Sequence, residues 1–143
     1  IMMLKLMDRP TWKTRSSAGT GALGRLLRSF HYAFSGLWFL LRTQRNARIE
    51  VALGALACAL AAWVGIPVSS WAILVFTIAL VVILEGLNTS IEAAVDLASP
   101  DLHPLAKAAK DLAAGMVLIA AIASVAIGLL ILGPPLWQKL FGA

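Results

Sequence analysis

The apolar positions of this chain form one striped segment followed by three nearly unbroken runs. From Leu23 to about Thr43, the positions Leu23, Leu26, Leu27, Phe30, Phe34, Leu37 and Leu41 recur at helical spacing, interrupted by Arg25, Arg28, Ser29, Ser35 and Arg42. That pattern predicts an amphipathic helix over 23–43, lying in a membrane interface with Tyr32 and Trp38 at headgroup level. The first long run, about 49–66, is Ala-rich and closes at Gly65-Ile66-Pro67; Val68-Ser69-Ser70 then reads as an uncharged turn. The second, about 71–97, has over 20 residues and can cross ~30 Å of hydrocarbon. The third covers about 112–132 and is expected to stop at Gly133-Pro134-Pro135. Gly54, Ala57 and Ala61, and likewise Gly115, Ala120 and Ala123, permit close helix approach.

Composition turns these runs into membrane spans. The chain has 143 residues, 60% hydrophobic and 13% charged, with a mean hydropathy of +0.87. Soluble domains carry about 25% charged residues. The expected fold class is therefore all-α integral membrane, with three transmembrane helices and an N-terminal amphipathic interfacial helix. Residues 1–22 read as a flexible segment and 23–143 as one membrane domain. Within the former, Gly19-Thr20-Gly21-Ala22-Leu23-Gly24 matches a dinucleotide-binding pattern, but no predicted strand precedes it, so the match is set aside. The lone Cys58 sits in an apolar run, as a packing residue does.

The net charge of +5 is uneven. Nine of the basic residues, from Lys5 to Arg48, precede the first long run, and Lys107 and Lys110 follow the second. In a membrane chain this reports orientation rather than nucleic-acid binding: N-terminus cytoplasmic, C-terminus outside.

Candidate chemistry lies in Glu85-Gly-Leu-Asn88-Thr-Ser-Ile-Glu92-Ala-Ala-Val-Asp96, at the end of the second span. At ~100° per residue Asn88 falls about 60° from Glu85, and Glu92 and Asp96 fall within about 20° of it. All four share one face. Ionisable groups in a span cost ~2.5–3.5 kcal/mol each on insertion scales and mark functional sites by default. Three uses fit this stripe: gluing helices together, relaying protons, or holding Mg²⁺ and a polyphosphate, since Mg²⁺ takes one or two carboxylates with phosphates and water completing its shell. Ser99 before Pro100 has the form of a helix cap, and His103 that of a solvated loop residue.

The stripe, taken with Ser99-Pro-Asp-Leu-His-Pro-Leu-Ala-Lys107-x-x-Lys110-Asp111-x-Ala-Ala-Gly115, resembles the small prokaryotic diacylglycerol kinases and undecaprenol kinases. Ser29-Phe30-x-Tyr32-Ala33-x-x-Gly36 and Arg45-Asn46-x-Arg48-Ile49 add to the resemblance, which covers roughly 24–133. The His103-Pro-Leu-Ala-Lys107 wording is more similar to the undecaprenol branch. The resemblance implies a homotrimer in the bacterial cytoplasmic membrane, with active sites shared between subunits at the cytosolic interface. It implies transfer of the γ-phosphoryl of Mg-ATP to a lipid hydroxyl, undecaprenol preferred over diacylglycerol. By the same resemblance Glu85 is the general base and Asn88 positions the reacting groups. Glu92 holds Mg²⁺ and Lys110 neutralises phosphate, while Asp111 and Asp96, with Tyr32, Arg25 and Arg28 of the surface helix, lie around the nucleotide. One departure stands out: the family commonly has a Glu as second metal ligand where this chain has Gln44, a neutral oxygen. Glu50 lies about 240° further around a helix and does not simply replace it.

Overall fold

The computed structural model describes residues 21–101 and 103–142. It contains four helices: α1 (Ala22–Thr43), α2 (Arg45–Val64), α3 (Val68–Ala98) and α4 (Pro104–Phe141). The chain divides into two compact units, one ending at Gly36 and the other beginning at Leu37. The expected flexible segment falls, apart from Gly21 and Ala22, outside the described residues, as does the start of the glycine-rich pattern.

In the first unit, α1 starts within one residue of its predicted position and exposes Leu23, Leu26, Leu27, Phe30 and Phe34. In the second unit α3 is central, packing most on α4 and next on α2. The helices α2, α3 and α4 are each long and apolar enough to cross a membrane, so the protein is multi-pass. Several of their hydroxyls are satisfied locally: Thr77 donates to Ile73 O (2.7 Å), Ser90 to Gly86 O (2.8 Å) and Ser124 to Ala121 O (2.8 Å). Such back-bonding lets hydroxyls sit in hydrocarbon without an orphaned donor.

Close approach between α2 and α3 rests on small residues of α2. Gly54 and Ala61 are buried and Ala57 half-buried. A Cβ at Gly54 would lie 2.8 Å from Ile78 Cγ2, so only glycine fits without displacing a stiff β-branched side chain. The corresponding expectation for α4 does not hold within one chain: Ala123 is exposed and Gly115 faces open space. The apolar core gathers at the α2–α3 turn, where Ala61, Ile66 and Leu74 are buried and Trp71, Ile78, Ile131 and Leu132 pack around them.

Beyond earlier starts of α2 at Arg45 and α4 at Pro104 than the apolar runs indicate, three features differ from the sequence reading. First, α3 begins at Val68, because Pro67 supplies an extended N-cap and its carbonyl accepts from Ser70 and Trp71 N–H (3.0 and 3.2 Å). Ser69 and Ser70 are thus helical, while the turn itself is made by Gly65 at φ +79°, whose N–H bonds Ala61 O at 2.9 Å. Second, the cap-plus-proline signal belongs to His103-Pro104 rather than Ser99-Pro100: Ser99 ends α3, and His103 Nδ1 accepts from Leu105 N–H (3.2 Å) at the start of α4. Third, α4 does not stop at Gly133 but continues through Pro134 and Pro135 to Phe141. A proline inside a helix costs ~3 kcal/mol, yet contacts beyond it hold the helix together: Trp137 packs on Phe141 with ring centroids 4.6 Å apart and the rings tilted by 40°, and Lys139 engages Trp63.

Candidate active site on the third helix

One continuous buried stripe runs along α3 through Leu74, Thr77, Val81, Glu85 and Thr89, at spacings of three and four residues. Its chemistry changes midway from apolar to ionisable. The face that carries Glu85 is thus the face turned into the bundle, as expected for an ionisable residue in a span. Glu85 is only 2% exposed, and Thr89 donates to its backbone carbonyl at 3.0 Å. Position along the helix follows from the rise: counted from Val68, Glu85 lies ~26 Å and Asp96 ~42 Å away. With ~30 Å of hydrocarbon to cross, Glu85 falls near its far edge and Glu92 and Asp96 beyond it.

Around this stripe the side chains converge. Asn88 Nδ2 donates to Glu92 Oε1 at 3.3 Å, leaving Asn88 Oδ1 buried without a hydrogen-bond partner. Lys110, from the second turn of α4, donates to Asp96 Oδ1 at 2.9 Å and also feels the charge of Glu92. Glu92 in turn acts electrostatically on Glu85. Glu85, Asn88, Glu92, Asp96 and Lys110 therefore belong to one local constellation. Asp111 is turned to Lys107, with which it forms an exposed ion pair. Gln44 is half-buried at the N-cap of α2, where its backbone N–H donates to Leu40 O (2.8 Å) and its side chain makes no capping bond. Tyr32, Arg25 and Arg28 lie in the unit ending at Gly36. There Tyr32 meets His31 with ring centroids 6.1 Å apart, and Arg25 O accepts from Ser29 Oγ at 3.1 Å.

The sequence reading passed over one residue of this constellation. Glu50 reaches in from the second turn of α2, feels the charge of Glu85, and keeps Oε2 buried without a hydrogen-bond partner. It also lines a cavity of ≈ 280 Å³ between α2, α3 and α4, otherwise walled by residues such as Leu53, Leu74 and Val81. The rule that marks Glu85 as a site residue applies equally to Glu50, a carboxylate in the first span.

The donor set suits a hard divalent cation. Asn88 Oδ1 is a free acceptor beside the Glu92 carboxylate, and Mg²⁺ takes such oxygens together with phosphate and water. Among the described residues, no group of three or more His, Cys, Asp or Glu forms a complete cage.

Comparison with known proteins agrees with this arrangement. A family model described as prokaryotic diacylglycerol kinase matches residues 31–132. The chain is 46% identical over 112 residues to a diacylglycerol kinase of Synechocystis, covering 78% of this chain and 64% of that protein, so it spans just under two thirds of that relative. It is 42% identical over 114 residues to the undecaprenol kinase of Bacillus subtilis, covering 80% of this chain and 93% of that protein. A diacylglycerol kinase of Escherichia coli is 32% identical over 106 residues, covering 74% and 87%. The matched stretch takes in the whole α3 stripe, Lys110 and Gln44, and with it the chain belongs to the prokaryotic diacylglycerol kinase family of small membrane lipid kinases.

Proposed function

We propose that this protein transfers the γ-phosphoryl group of Mg-ATP to the hydroxyl of a membrane lipid at the Glu85–Asp96 stripe. The observation that carries the reading is one helix face on which a buried Glu85, a Glu92 bonded by Asn88, and an Asp96 paired with Lys110 of α4 follow one another. A lipid hydroxyl arrives from the hydrocarbon side and a nucleotide from the aqueous side, and this stripe runs from one to the other.

In the reaction, Glu85 accepts the hydroxyl proton as the lipid oxygen bonds to the γ-phosphorus. The bond from that phosphorus to the β,γ-bridging oxygen breaks, and ADP leaves. Asn88 positions the reacting groups. Lys110 turns from Asp96 to the phosphates, and Asp96 and Asp111 border the nucleotide. Mg²⁺, held by Glu92 and Asn88 Oδ1 with Gln44 as a weak further oxygen, would neutralise phosphate charge as it is redistributed. Catalysis of this kind comes from alignment and electrostatic stabilisation rather than covalent chemistry.

Undecaprenol is the proposed acceptor. Support comes from the His103-Pro104-Leu105-Ala106-Lys107 wording and from the 93% of the Bacillus subtilis undecaprenol kinase that the match covers. Diacylglycerol is the second reading, favoured by the 46% identity to the Synechocystis enzyme. The assembly proposed is a homotrimer with sites shared between copies. One chain supplies a single carboxylate and the amide oxygens of Asn88 and Gln44 to the cation, leaving room for a neighbour's contribution. Its orientation in the bacterial cytoplasmic membrane puts the stripe on the cytosolic side, following the basic residues.

The test is transfer of labelled γ-phosphate by the purified protein to undecaprenol and to diacylglycerol, offered separately and in competition. Labelled undecaprenyl phosphate in excess supports the proposal. Label on diacylglycerol alone moves the acceptor to the second reading, and label on neither overturns the kinase reading.

A further inference from the structure

The family match ends at residue 132, whereas α4 continues to Phe141. The continuation is unusual. Pro134 and Pro135 lack the N–H groups that would bond Leu130 and Ile131 carbonyls, so the helix is weakened where it leaves the family region. Something beyond the prolines must hold residues 136–141 in place.

That something is Lys139. Its ammonium donates to Trp63 O and stands 4.8 Å from the centroid of the Trp63 ring. Trp63 belongs to the last turn of α2, where carbonyls lack intrahelical partners and the helix dipole favours a cation. No basic residue of α2 lies in that turn. The carbonyl of Ala61 is met by Gly65 and Ile66 N–H (2.9 and 3.3 Å), leaving the Trp63 carbonyl for Lys139. A residue 76 positions away thus supplies the capping charge that α2 does not carry itself. The cation–π contact with an indole adds to the bond and fixes the direction of approach. Just inside this contact, Ile131 and Leu132 of α4 pack against the buried Ala61, Ile66 and Leu74.

We propose that residues 133–141 are a strap, with Lys139 capping α2 from another helix and so closing the turn end of the bundle. α2 and α4 are the least extensively packed pair of the three spanning helices, and a cavity separates them further along. The strap ties that pair directly. It acts at the opposite end of α3 from the Glu85–Asp96 stripe, so its loss weakens the fold without touching the proposed chemistry.

The experiment compares thermal unfolding of the full chain in detergent, followed by helical circular dichroism, for Lys139→Arg, Lys139→Gln and Lys139→Met. The expected order is Arg above Gln above Met, since Arg keeps cation and donor, Gln only a donor, and Met neither. The Met variant is expected to fall by about 3–5 °C, the scale for losing one such contact from a chain of this size. Trp63→Leu is also expected to lower the midpoint, and Trp63→Leu with Lys139→Met to lower it by less than the sum of the singles, because both remove the cation–π contact. Equal midpoints for the three Lys139 variants, or strict additivity in the double variant, would overturn the strap. Both readouts are independent of whether any lipid is phosphorylated.

Discussion

Replacing Glu92 and Glu85 by Gln separates the two jobs assigned to the stripe, because the structure predicts that neither change unfolds the protein. Glu92 accepts one hydrogen bond, from Asn88 Nδ2 at 3.3 Å, longer than the usual 2.9–3.0 Å for N–H···O. A Gln there keeps an acceptor oxygen, and Lys110 keeps its 2.9 Å partner Asp96. The stability cost is therefore below ~1 kcal/mol. Glu85 is buried beside the like-charged Glu50 and Glu92, so Glu85→Gln removes repulsion and leaves stability equal or higher. Activity moves the other way. Losing a group that offsets transition-state charge costs ~10²–10³ in kcat, and losing a general base costs ~10²–10⁴. The two losses differ in remedy. Glu92→Gln weakens a metal site, so raising Mg²⁺ restores part of the rate; Glu85→Gln loses proton acceptance, and Mg²⁺ restores nothing. The assay is initial-rate lipid phosphorylation over a Mg²⁺ titration at saturating ATP, with unfolding midpoints measured alongside. Equal recovery of both variants would refute the division of labour, and a midpoint drop matching the activity loss would reduce both residues to structural ones.

Three further outcomes are expected. Gln44→Glu should shift the Mg²⁺ concentration for half-maximal rate downward, if the neutral oxygen is a weakened ligand; an unchanged Mg²⁺ profile removes Gln44 from the metal site. Gly65→Ala forces a Cβ into φ +79°, at a cost of ~1–2 kcal/mol, and should lower the unfolding midpoint without altering the Mg²⁺ dependence of any activity. Gly54→Ala brings a Cβ to 2.8 Å from Ile78 Cγ2. Overpacking of ~1–3 kcal/mol is partly offset by ~1 kcal/mol of helix propensity, so a modest midpoint drop is expected, and adding Ile78→Ala, which removes the clashing methyl, should cost less than the two changes summed.

How much of this was legible in the sequence depended on whether a signal was local or between helices. The amphipathic segment and the three spans were readable because composition and period act within a dozen residues, and α1 follows its predicted limits closely. The face shared by Glu85, Asn88, Glu92 and Asp96 follows from helical geometry alone. Three other features were not readable, two because they depend on a partner distant in sequence and one because two neighbouring local signals compete. The helix continues through Pro134-Pro135 because contacts such as that of Lys139 with Trp63 hold it from outside. Glu50 joins the site because α2 lies against α3 in a register that no single segment encodes. The cap at His103-Pro104 is not separable from Ser99-Pro100 in the sequence because both pairs carry the same local signal, and only the end of α3 decides between them.

The buried stripe of α3 explains why the two ends of the bundle can differ so much in character. From Leu74 to Val81 it faces the small-residue side of α2, where Gly54 and Ala61 allow backbones to approach and apolar atoms to pack. From Glu85 onward the same face carries groups that gain nothing from hydrocarbon, and there α2 offers a second carboxylate, Glu50, instead of a methyl group. Two coupled carboxylates and an orphaned amide oxygen disfavour folding unless something polar and cationic completes them. The apolar cluster at the turn end, where Gly65 sets the reversal, offsets that cost within the same helix. The polar end is therefore free to keep unsatisfied acceptors, Glu50 Oε2 and Asn88 Oδ1, that a metal-bound polyphosphate and a lipid hydroxyl can use.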